Sequence, residues 1–597
     1  MFLPANIGDT NQEAMVDTWL GYNHNYRIGA GEWWDMENLS SDGFPLMTPR
    51  KRRAKLIEAQ KVRGILHTED TLVYLEGSTL HFGSRTYDLS GYDLGDDDQT
   101  LVRFGAYILL FPSGVYVNLF DSDDEGTMAA SYTVPQGVTI TYTMCDYDGN
   151  DFANIVYGNY PPDNPTDGMY WLNTNPEEAG LNIWVESLSM WQPVATTYIR
   201  IDIPGSSLTS HFSEGDTITM NSVLQDINAG STIQKIGEQY MVIIGLLPNG
   251  VVFHETTDDI WKLKIERKFP ELDYVCTSQN RVWGCHYGPD GNGGVVNEIY
   301  ASKLGDFKNW YSYDGTSQDS YAVSVGEDGA WTGCISYQGH PTFFKENAII
   351  RVYGSYPAEY QLSINSARGV QKGSARSLAI VNEYLVYKSA ADVVVYDGSN
   401  PVSISQALGR ELMYYRASAG GTLGKYHISM QTPIGAMRNF VYDFQRNLWM
   451  REDSDVKFVE YTSTESGQIY ARTDSEVYGI GANDNMLFIH TLSGEDQVKW
   501  WAESGDIGLE YADDKNVARL KIRAYIPPRA EIQVWVSYDD RPFEEARVIR
   551  GTGDMRSHVI SLMMQACDHY RIRLKGHGDV RIYTMQTLLD TDGGDNE

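Results

Sequence analysis

The fold of this chain is decided by the stretch Tyr384-Leu-Val-Tyr-Lys-Ser-Ala-Ala-Asp-Val-Val-Val-Tyr-Asp-Gly398. Two short apolar runs flank the polar turn Ser389-Ala-Ala-Asp392, which is the pattern of a β-hairpin. The same phrase returns at a spacing of roughly 40 residues. Further copies begin at Thr71, Tyr107, Pro341, Phe440 and Gly467. Self-similar hairpins at this spacing predict an all-β chain whose main body is a β-propeller.

Seven segments carry this phrase or a looser version of it. They lie near residues 60–90, 99–120, 273–312, 326–358, 373–405, 412–452 and 455–489. A single blade cannot bury both of its faces, so the blades must stack around an axis and the last must meet the first. The sequence therefore predicts about seven blades, although the loose phrase also fits about six or eight.

Four regions differ in composition and predict the domain organisation. Residues 1–59 form an irregular N-terminal arm rich in Trp, Gly and Pro. Residues 60–125 and 251–489 carry the propeller phrases. Residues 126–250 interrupt them with short alternating runs and predict an inserted all-β module, which a surface loop tolerates at little cost. Residues 490–597 alternate apolar with polar or basic residues and predict a C-terminal β-sandwich that ends in an acidic tail.

The charge balance argues against a nucleic-acid-binding surface. The chain has 80 acidic and 47 basic residues, a formal net charge of −33. Such a chain repels phosphates over most of its surface. Its one basic run, Arg50-Lys-Arg-Arg-Ala-Lys55, would read alone as a phosphate patch. In a chain this acidic, we interpret the run as a counter-charge for an acidic surface within the chain or on a neighbouring subunit.

Cysteine usage and hydropathy indicate the compartment. The five cysteines are odd in number, widely scattered and form no C-x-x-C pair; they are Cys145, Cys276, Cys285, Cys334 and Cys567. This predicts free buried thiols in a reducing cytoplasm. The N-terminus lacks the basic segment of a secretory signal, and the most apolar run, 241–253, is too short to span a bilayer. We expect synthesis in a cytoplasm, with any export as part of an assembly, and no membrane insertion by this chain.

Motifs that carry chemistry are scarce. The sequence has no G-x-S-x-G, H-E-x-x-H, Walker-type or dinucleotide-binding motif, which predicts no enzymatic activity and no cofactor. Asp146, Asp148 and Asp151 surround a glycine and suggest a partial calcium loop, or else an ordinary polar turn. The stretch from Ser324 to Trp331 resembles the Asp-box turn of sialidase propellers. It departs from that pattern in spacing and occurs once, so we interpret it as a structural turn.

Two stretches resemble virion proteins of tailed bacteriophages. The first is Trp34-Asp-Met-Glu-Asn-Leu-Ser-Ser-Asp-Gly-Phe-Pro-Leu-Met-Thr-Pro-Arg-Lys-Arg52, which is similar to the opening that leads into a propeller in those proteins. The second runs from Asn280 to Cys285 and from Asn297 to Trp310, and contains Gly-Asp-x-x-Asn-Trp. It resembles a blade segment of podovirus tail nozzle and tail stabilisation proteins. Together the resemblance covers roughly half of the chain, and its motifs are structural.

The resemblance implies a structural subunit of a virion, namely a tail nozzle or adjacent tail ring protein that lines or caps the DNA exit channel. It implies a homo-oligomeric ring, other tail or portal-proximal proteins as partners, and DNA only in transit during ejection. It also implies synthesis in a host bacterial cytoplasm and a final location in the tail of the virion. The candidates for subunit contact are the aromatic and basic residues of the arm: Trp33, Trp34, Arg50, Arg52 and Arg53.

An alternative function is a tail-associated carbohydrate-binding propeller that recognises a receptor, or one that acts on glycans. Trp and Tyr are abundant, and the two β-modules outside the propeller offer surfaces on which sugars can stack. An enzyme of this class needs two carboxylates about 5–10 Å apart in one pocket. A ring subunit instead needs large complementary flanks, so clustering of side chains separates the two functions.

Overall fold

A computed structural model describes residues 11–68, 71–152, 155–228, 230–247, 249–291, 293–409, 413–422, 424–464, 467–481, 493–509, 514–562 and 566–591. The chain divides into two compact units. Unit 1 comprises Met1–Ser90, Phe344–Ile349 and Asn365–Glu597, and unit 2 comprises Gly91–Phe343 and Ile350–Ile364.

Unit 1 contains four antiparallel propeller sheets within the described residues. Their strands are Val62–Thr68, Thr71–Glu76, Thr79–Phe82 and Arg85–Asp88; Ala379–Val381, Tyr384–Lys388, Val393–Tyr396 and Val402–Ser403; Tyr415–Gly421, Lys425–Gln431, Met437–Asp443 and Leu448–Glu452; and Glu460–Ser463, Ile469–Arg472 and Glu476–Ile480, joined by Ala54–Glu58 and Ser493–Gly494. The first strands of neighbouring sheets lie side by side. This is the packing of successive blades around an axis.

The hairpin that decided the fold is buried on both faces. Leu385, Val386 and Tyr387 are all fully buried, although they are consecutive in one strand. A strand in a sheet covered on both sides has no solvent face, so it reads as a continuous apolar run. The buried hydroxyl of Tyr387 donates to the backbone oxygen of Arg368 at 2.7 Å. This bond satisfies the polar end of a side chain that otherwise packs in the core.

Unit 2 carries two more propeller sheets and most of a third. Their strands are Thr100–Phe104, Tyr107–Phe111, Val115–Asn118 and Glu125–Thr127; Tyr274–Ser278, Arg281–Pro289, Val295–Ala301 and Tyr321–Ser324; and Gly333–Tyr337, His340–Lys345, Ala348–Tyr353 and Gln361–Asn365. Here too the first strands of adjacent sheets are neighbours. The total number of blades stays a prediction.

The inserted module of unit 2 has two sheets. The larger has eight strands in the order Ala130–Thr133, Lys264–Arg267, Thr217–Met220, Ser231–Ile236, Tyr240–Ile244, Tyr198–Asp202, Thr139–Cys145 and Val252–Thr256. The smaller has four strands in the order Ile155–Gly158, Tyr170–Asn173, Gly180–Val185 and Met190–Pro193. The larger sheet continues to Arg267, beyond the predicted end of the insertion at residue 250.

The C-terminal region forms a sandwich of two sheets. One contains Asn11–Val16, Arg581–Thr591, Lys515–Tyr525, Met555–Ser561 and Ala566–Cys567; the other contains Asp35–Glu37, Lys499–Glu503, Tyr570–His577, Glu531–Tyr538 and Glu544–Arg550. Side chains of both sheets share one hydrophobic core, for example Leu520 with Ile532 and Leu574. The strand Glu531–Tyr538 alternates between buried and half-buried residues, as expected of a sheet with one solvent face.

The N-terminal arm differs from the irregular segment that we predicted. Asn11–Val16 and Asp35–Glu37 each add a strand to one sheet of the sandwich, and Ala54–Glu58 joins the last propeller sheet of unit 1. A small ladder pairs Leu39–Ser40 with Thr48–Pro49. All partners except this last one lie hundreds of residues away, so no local periodicity reveals them.

Helical structure among the described residues consists of short 3-10 turns. They are Ser41–Gly43, Glu186–Leu188, Leu208–Ser210, Gln225–Ile227, Pro357–Glu359, Ala375–Ser377 and Gln406–Leu408. Within the part of the chain that the structure describes, no helix has the length and apolarity needed to cross a membrane. The predicted fold class, an all-β propeller with an inserted β-module and a C-terminal sandwich, is confirmed. The predicted boundary at residue 490 lies outside the described residues, as does the acidic tail from residue 592.

Candidate functional site

Three cations of the basic run, Arg50, Arg53 and Lys55, form ion pairs within unit 1. Arg50 pairs with Asp453 at 2.8 Å and with Glu495 at 2.6 Å. Arg53 pairs with Glu452 at 2.7 Å and with Asp453 at 2.9 Å. The arginine side chains are 5% and 2% exposed. The counter-charge interpretation therefore holds, and the acidic surface that it neutralises belongs to the same chain.

These pairs shift the pKa values of their members. Burial alone would lower the pKa of Arg53, but the carboxylates of Glu452 and Asp453 raise it above its ordinary value. Burial would likewise raise the pKa of Glu452, and the positive charges of Arg53 and Arg50 bring it below its ordinary value. Arg53 and Glu452 thus stay ionised at neutral pH, and removal of either would leave a buried charge without its closest partner.

The aromatic subunit-contact candidates also pack on their own chain. Trp33 is 2% exposed and stacks on Trp19, with ring centroids 5.5 Å apart. Trp34 is half-buried and lies against the imidazole of His24, with centroids 4.4 Å apart. Arg52 is half-buried. Because Trp33, like Arg50 and Arg53, is buried, it is not exposed to a neighbour in this fold. Subunit contact through Trp34 and Arg52 stays a prediction.

The calcium-loop candidates lie in a turn that is held by hydrogen bonds and an ion pair within the chain. The carboxylate of Asp146 accepts the backbone N–H of Asp148 at 3.0 Å and that of Asn150 at 2.8 Å. Asp151 pairs with Arg200 at 3.0 Å. Burial acts to raise the pKa of Asp146, but these N–H donors bring it below its ordinary value. The carboxylates of Asp146 and Asp151 are thus occupied by separate partners, which is the arrangement of a polar turn.

The Gly-Asp-x-x-Asn-Trp motif joins the inserted module to a propeller loop within unit 2. Asn309 donates to Asp306 at 2.6 Å and to Asp216 at 3.2 Å, and accepts the backbone N–H of Thr217 at 2.8 Å. Asp216 also forms an ion pair with Arg267. The motif therefore has a structural role, because it satisfies buried polar groups where the eight-stranded sheet meets the loop.

The small sheet of the inserted module presents an aromatic face, which is the candidate functional site. Its register places Trp171 opposite Asn182 and Trp184 opposite Trp191. Asn182 and Trp184 are two residues apart in one strand, so these four side chains lie on the same face. The opposite face carries Leu172 and others that pack into the core of the module. One face of the sheet thus packs on the core of the module, and the other face carries the tryptophan side chains.

Three indole rings form one cluster on this face. The ring centroids of Trp184 and Trp191 are 5.5 Å apart and those of Trp171 and Trp191 are 5.7 Å apart, both in edge-to-face contact. Trp171 is 8% exposed, and its indole N–H donates to the backbone oxygen of Gly158 at 3.0 Å. Trp184 and Trp191 are half-buried. Trp171 therefore anchors the cluster, while the other two rings offer area to a ligand.

The strands that form the aromatic face are unusually poor in charge. No Asp, Glu, Lys or Arg occurs in any of the four strands, whereas 21% of the whole chain is charged. The polar side chain beside the rings is the amide of Asn182, which is half-buried and donates weakly to the backbone oxygen of Gly180 at 3.3 Å. Apolar rings next to a neutral amide suit a ligand that is polar at its edge and apolar on its face.

Sequence reasoning identified these strands as part of a β-module but not their shared face. Trp171, Trp184 and Trp191 are spread over twenty-one positions with no common period, and only the cross-strand register brings them together. The usable signal was the lack of charged residues in all four runs.

Comparisons with known proteins bear on the fold. No protein-family model and no curated protein sequence matches the chain. Among solved structures, it is similar to an exo-β-1,3-galactanase from Phanerochaete chrysosporium, with 10% identity over 52% of this chain and 94% of that one and a TM-score of 0.21. It is also similar to a sialidase from Trypanosoma rangeli, with 7% identity over 68% and 93% of the two chains and a TM-score of 0.21.

A third similar structure is PorZ, a surface component of the type-IX secretion system of Porphyromonas gingivalis. Its identity is 9% over 86% of this chain and 100% of PorZ, with a TM-score of 0.23. The prediction of no enzymatic activity was wrong as an exclusion, because similar solved structures include carbohydrate-acting enzymes. The absence of familiar catalytic motifs does not exclude activity, because function depends on the geometry of a site and not on the fold alone.

Proposed function

We propose that this protein binds carbohydrate through the aromatic face of the small sheet in its inserted module. The observation that carries the proposal is the cluster of Trp171, Trp184 and Trp191 on a sheet whose strands contain no charged residue. In a chain of net charge −33, such a surface is the part on which a neutral ligand meets little charge. This supports a glycan as the ligand.

The chemistry of a pyranose suits this face. One side of the sugar ring presents C–H groups, which carry a small positive partial charge and are apolar enough to leave water. An indole face is negative and apolar, so stacking satisfies both electrostatics and burial. The hydroxyls at the edge of the ring can then bond to the amide of Asn182, which has unused donor and acceptor capacity.

The test is affinity electrophoresis of the purified full chain through gels that contain neutral polysaccharides, such as galactan, mannan and xylan. We expect retardation by at least one of them, and we expect Trp184→Ala and Trp191→Ala each to weaken binding by about tenfold or more, as truncation of a central aromatic anchor does. Trp261→Ala is the matched control. Trp261 is half-buried in the same module, but its indole N–H bonds to the backbone oxygen of Asn221 at 3.1 Å, outside the cluster.

Two outcomes would contradict the proposal. One is that no polysaccharide retards the wild-type chain. The other is that Trp261→Ala reduces binding as much as Trp191→Ala does, because the cluster would then matter only for the stability of the module. Thermal unfolding of the three variants, measured in parallel, identifies any variant that has lost its fold.

A second candidate function is the virion role implied by the arm and blade motifs, a tail nozzle or ring subunit. Its support is the net charge of −33, since an acidic wall does not retain DNA that passes it. The two proposals are compatible, because a glycan-binding module can project from a tail subunit. Native mass measurement tests the second: a closed homo-oligomer, alone or with other tail proteins, is expected, and a strict monomer under both conditions would refute it.

A further inference from the structure

Unit 1 contains a cavity of about 750 Å³ formed by loops of three neighbouring propeller sheets. Its wall includes the loop before Ala379–Val381, the start of Tyr415–Gly421, the loop before Glu460–Ser463, and the turns that precede Met437–Asp443 and Glu476–Ile480. A cavity of this volume accommodates a small ligand. The aromatic face described above belongs to unit 2, so the cavity is a separate feature of the chain.

One residue of the wall, Arg416, has an unusual backbone conformation. Its φ is 46°, in the left-handed region that a residue with a Cβ rarely adopts. The register of its strand shifts between Tyr415 and Ser418, which marks a β-bulge. A bulge re-aims a side chain out of the alternation of a strand. Here it directs Arg416 into the wall of the cavity, where its Cγ lies over Gly373.

Buried polar groups hold the bulge in place. The amide of Gln371 donates to the backbone oxygen of Tyr414 at 3.1 Å, and the backbone N–H of Ala417 donates to the hydroxyl of Ser374 at 3.0 Å. The same hydroxyl donates to the side-chain oxygen of Gln371 at 3.0 Å. Gln371 is 5% exposed and Ser374 is fully buried. Such over-determination is what keeps a strained residue in place, and it is typical of ligand sites.

Basic groups from two further elements line the same cavity. Arg376 follows Gly373 in the loop before Ala379–Val381, and Lys457 is exposed in the loop before Glu460–Ser463. Among the described residues, Arg416 and Lys457 are exposed and form no ion pair, whereas Arg50, Arg53 and Lys55 of the same unit are paired. These groups bring three positive charges to one cavity of a strongly acidic chain.

The acidic groups of the wall do not neutralise all of this charge. Glu476 is engaged by Lys55, which lies outside the wall, and by the hydroxyl of Tyr478 at 2.7 Å. The pKa of Glu476 is accordingly lowered, first by its hydrogen bond to Lys55. Asp455 and Asp474 are exposed, so water screens them. Of the three carboxylates in the wall, one is thus engaged by Lys55, and the other two are exposed to water, as Arg416 and Lys457 are.

We propose that this cavity binds a small ligand through an oxyanion, either a carboxylate or a phosphate, and that Arg416 is its principal contact. A guanidinium presents parallel N–H donors that match two oxygens of such a group. The bulge fixes the backbone from which the side chain projects before the ligand arrives, which reduces the entropy lost on binding. This proposal does not depend on carbohydrate binding by the aromatic face.

The test is isothermal titration calorimetry of the full chain at low ionic strength with inorganic phosphate, malonate, D-glucuronate and D-glucose. Glucuronate and glucose differ in the carboxylate alone, so binding of the first without the second identifies the recognised group. Phosphate without the carboxylates would assign a phosphate ligand instead. We expect binding of at least one anion and none of glucose at this site, with affinity that falls as salt is added.

Three variants locate the site. Arg416→Gly removes the side chain and also relieves the left-handed strain, so it is expected to fold at least as stably as the wild type and to weaken anion binding at least tenfold. Arg416→Lys keeps the charge without the planar fork and is expected to retain part of the affinity. Arg556→Gln, at an exposed arginine paired with Asp554, is the control.

The proposal is overturned if none of the three anions binds, or if Arg416→Gly binds them as the wild type does. Trp191→Ala is expected to leave anion binding unchanged. If Trp191→Ala abolishes it, the anion contacts the aromatic face and the cavity proposal fails, irrespective of whether polysaccharide binding is observed.

Discussion

The buried ion pairs of Arg53 allow a sharp prediction about stability. Replacing Arg53 with Met keeps much of the side-chain volume but leaves Glu452 buried without its closest partner, 2.7 Å away in the wild type. Breaking one side of a buried pair costs about 3–5 kcal/mol, because the remaining charge has lost its water and its counter-ion. The contact of the guanidinium with the ring of Phe458, 5.3 Å from its centroid, is lost as well.

Hydrogen exchange measured by mass spectrometry resolves this effect within unit 1. The expected change falls in the peptides that contain Leu448–Glu452 and Ala54–Glu58, because Arg53 and its partners connect these two segments. A loss of about 3 kcal/mol corresponds to protection more than about a hundredfold lower in these strands. Peptides of the inserted module are expected to exchange as in the wild type.

The pH dependence gives the prediction a sign. The pKa of Glu452 in the folded wild type lies below its ordinary value. The ionised carboxylate therefore stabilises the fold at a pH above the pKa of a glutamate in the unfolded chain, about 4.3. This stabilisation is lost as the pH falls through the pKa of Glu452 in the folded chain. In Arg53→Met the same carboxyl loses a stabilising charge, and its pKa rises. The stability difference between wild type and variant is therefore expected to be largest at neutral pH and to shrink toward pH 4.

Arg52→Met is the matched control, because Arg52 is the adjacent arginine and is half-buried. This substitution is expected to lower the free energy of unfolding by less than about 1 kcal/mol, since a partly exposed charge remains solvated. The reasoning is refuted if Arg53→Met lowers protection no more than Arg52→Met does, or if the difference between Arg53→Met and wild type grows as the solution is acidified.

Three further predictions follow from single residues. Burial lowers the pKa of Lys388 to about 8, so the free energy of unfolding is expected to rise by about 1 kcal/mol between pH 7 and 9, and denaturant titrations of Lys388→Met should lack this rise. Asn309→Ala leaves buried polar groups without a hydrogen-bond partner, and denaturant titrations are expected to show a free energy of unfolding lower by about 1–3 kcal/mol. Gly551→Ala would overlap the backbone oxygen of Pro527 and is expected to lower the melting temperature, whereas Gly91→Ala meets no atom and should not.

The propeller was predictable because its unit is local. The strands Tyr384–Lys388 and Val393–Tyr396 are separated by a four-residue turn, and both are buried on two faces, so pattern and structure coincide over one short window. The sandwich strands were predictable for the complementary reason, because one solvent face imposes alternation. In both cases the information that sets the element lies within about ten residues.

The arm was not predictable, because its partners are remote. Asn11–Val16 pairs with Arg581–Thr591, and Asp35–Glu37 pairs with Lys499–Glu503. A three-residue strand has no readable period, and its stability comes from the sheet that it joins rather than from its own propensity. Trp33, which we predicted as a subunit contact, packs instead in a hydrophobic core of the same chain that blade and sandwich residues share.

The two candidate sites were hidden for different reasons. The aromatic face depends on register: a shift of one residue between Gly180–Val185 and Met190–Pro193 would send Trp191 to the opposite side of the sheet. The cavity depends on a β-bulge at Arg416, which the residue types of that strand do not predict. Both sites arise from backbone geometry that the neighbouring strands impose.

The distribution of charge connects the two proposals. The basic run of the arm could have offset the acidity of the chain at the surface, but Arg50 and Arg53 are buried in ion pairs and Lys55 is paired with Glu476. An acidic protein of this kind repels anionic ligands over most of its surface. It can bind a neutral ligand at a surface without charged side chains, or an anionic ligand at a site where its own cations attract the anion. The uncharged aromatic face meets the first condition, and the cavity beside Arg416 meets the second. Raising the salt concentration should therefore leave polysaccharide binding unchanged and weaken anion binding.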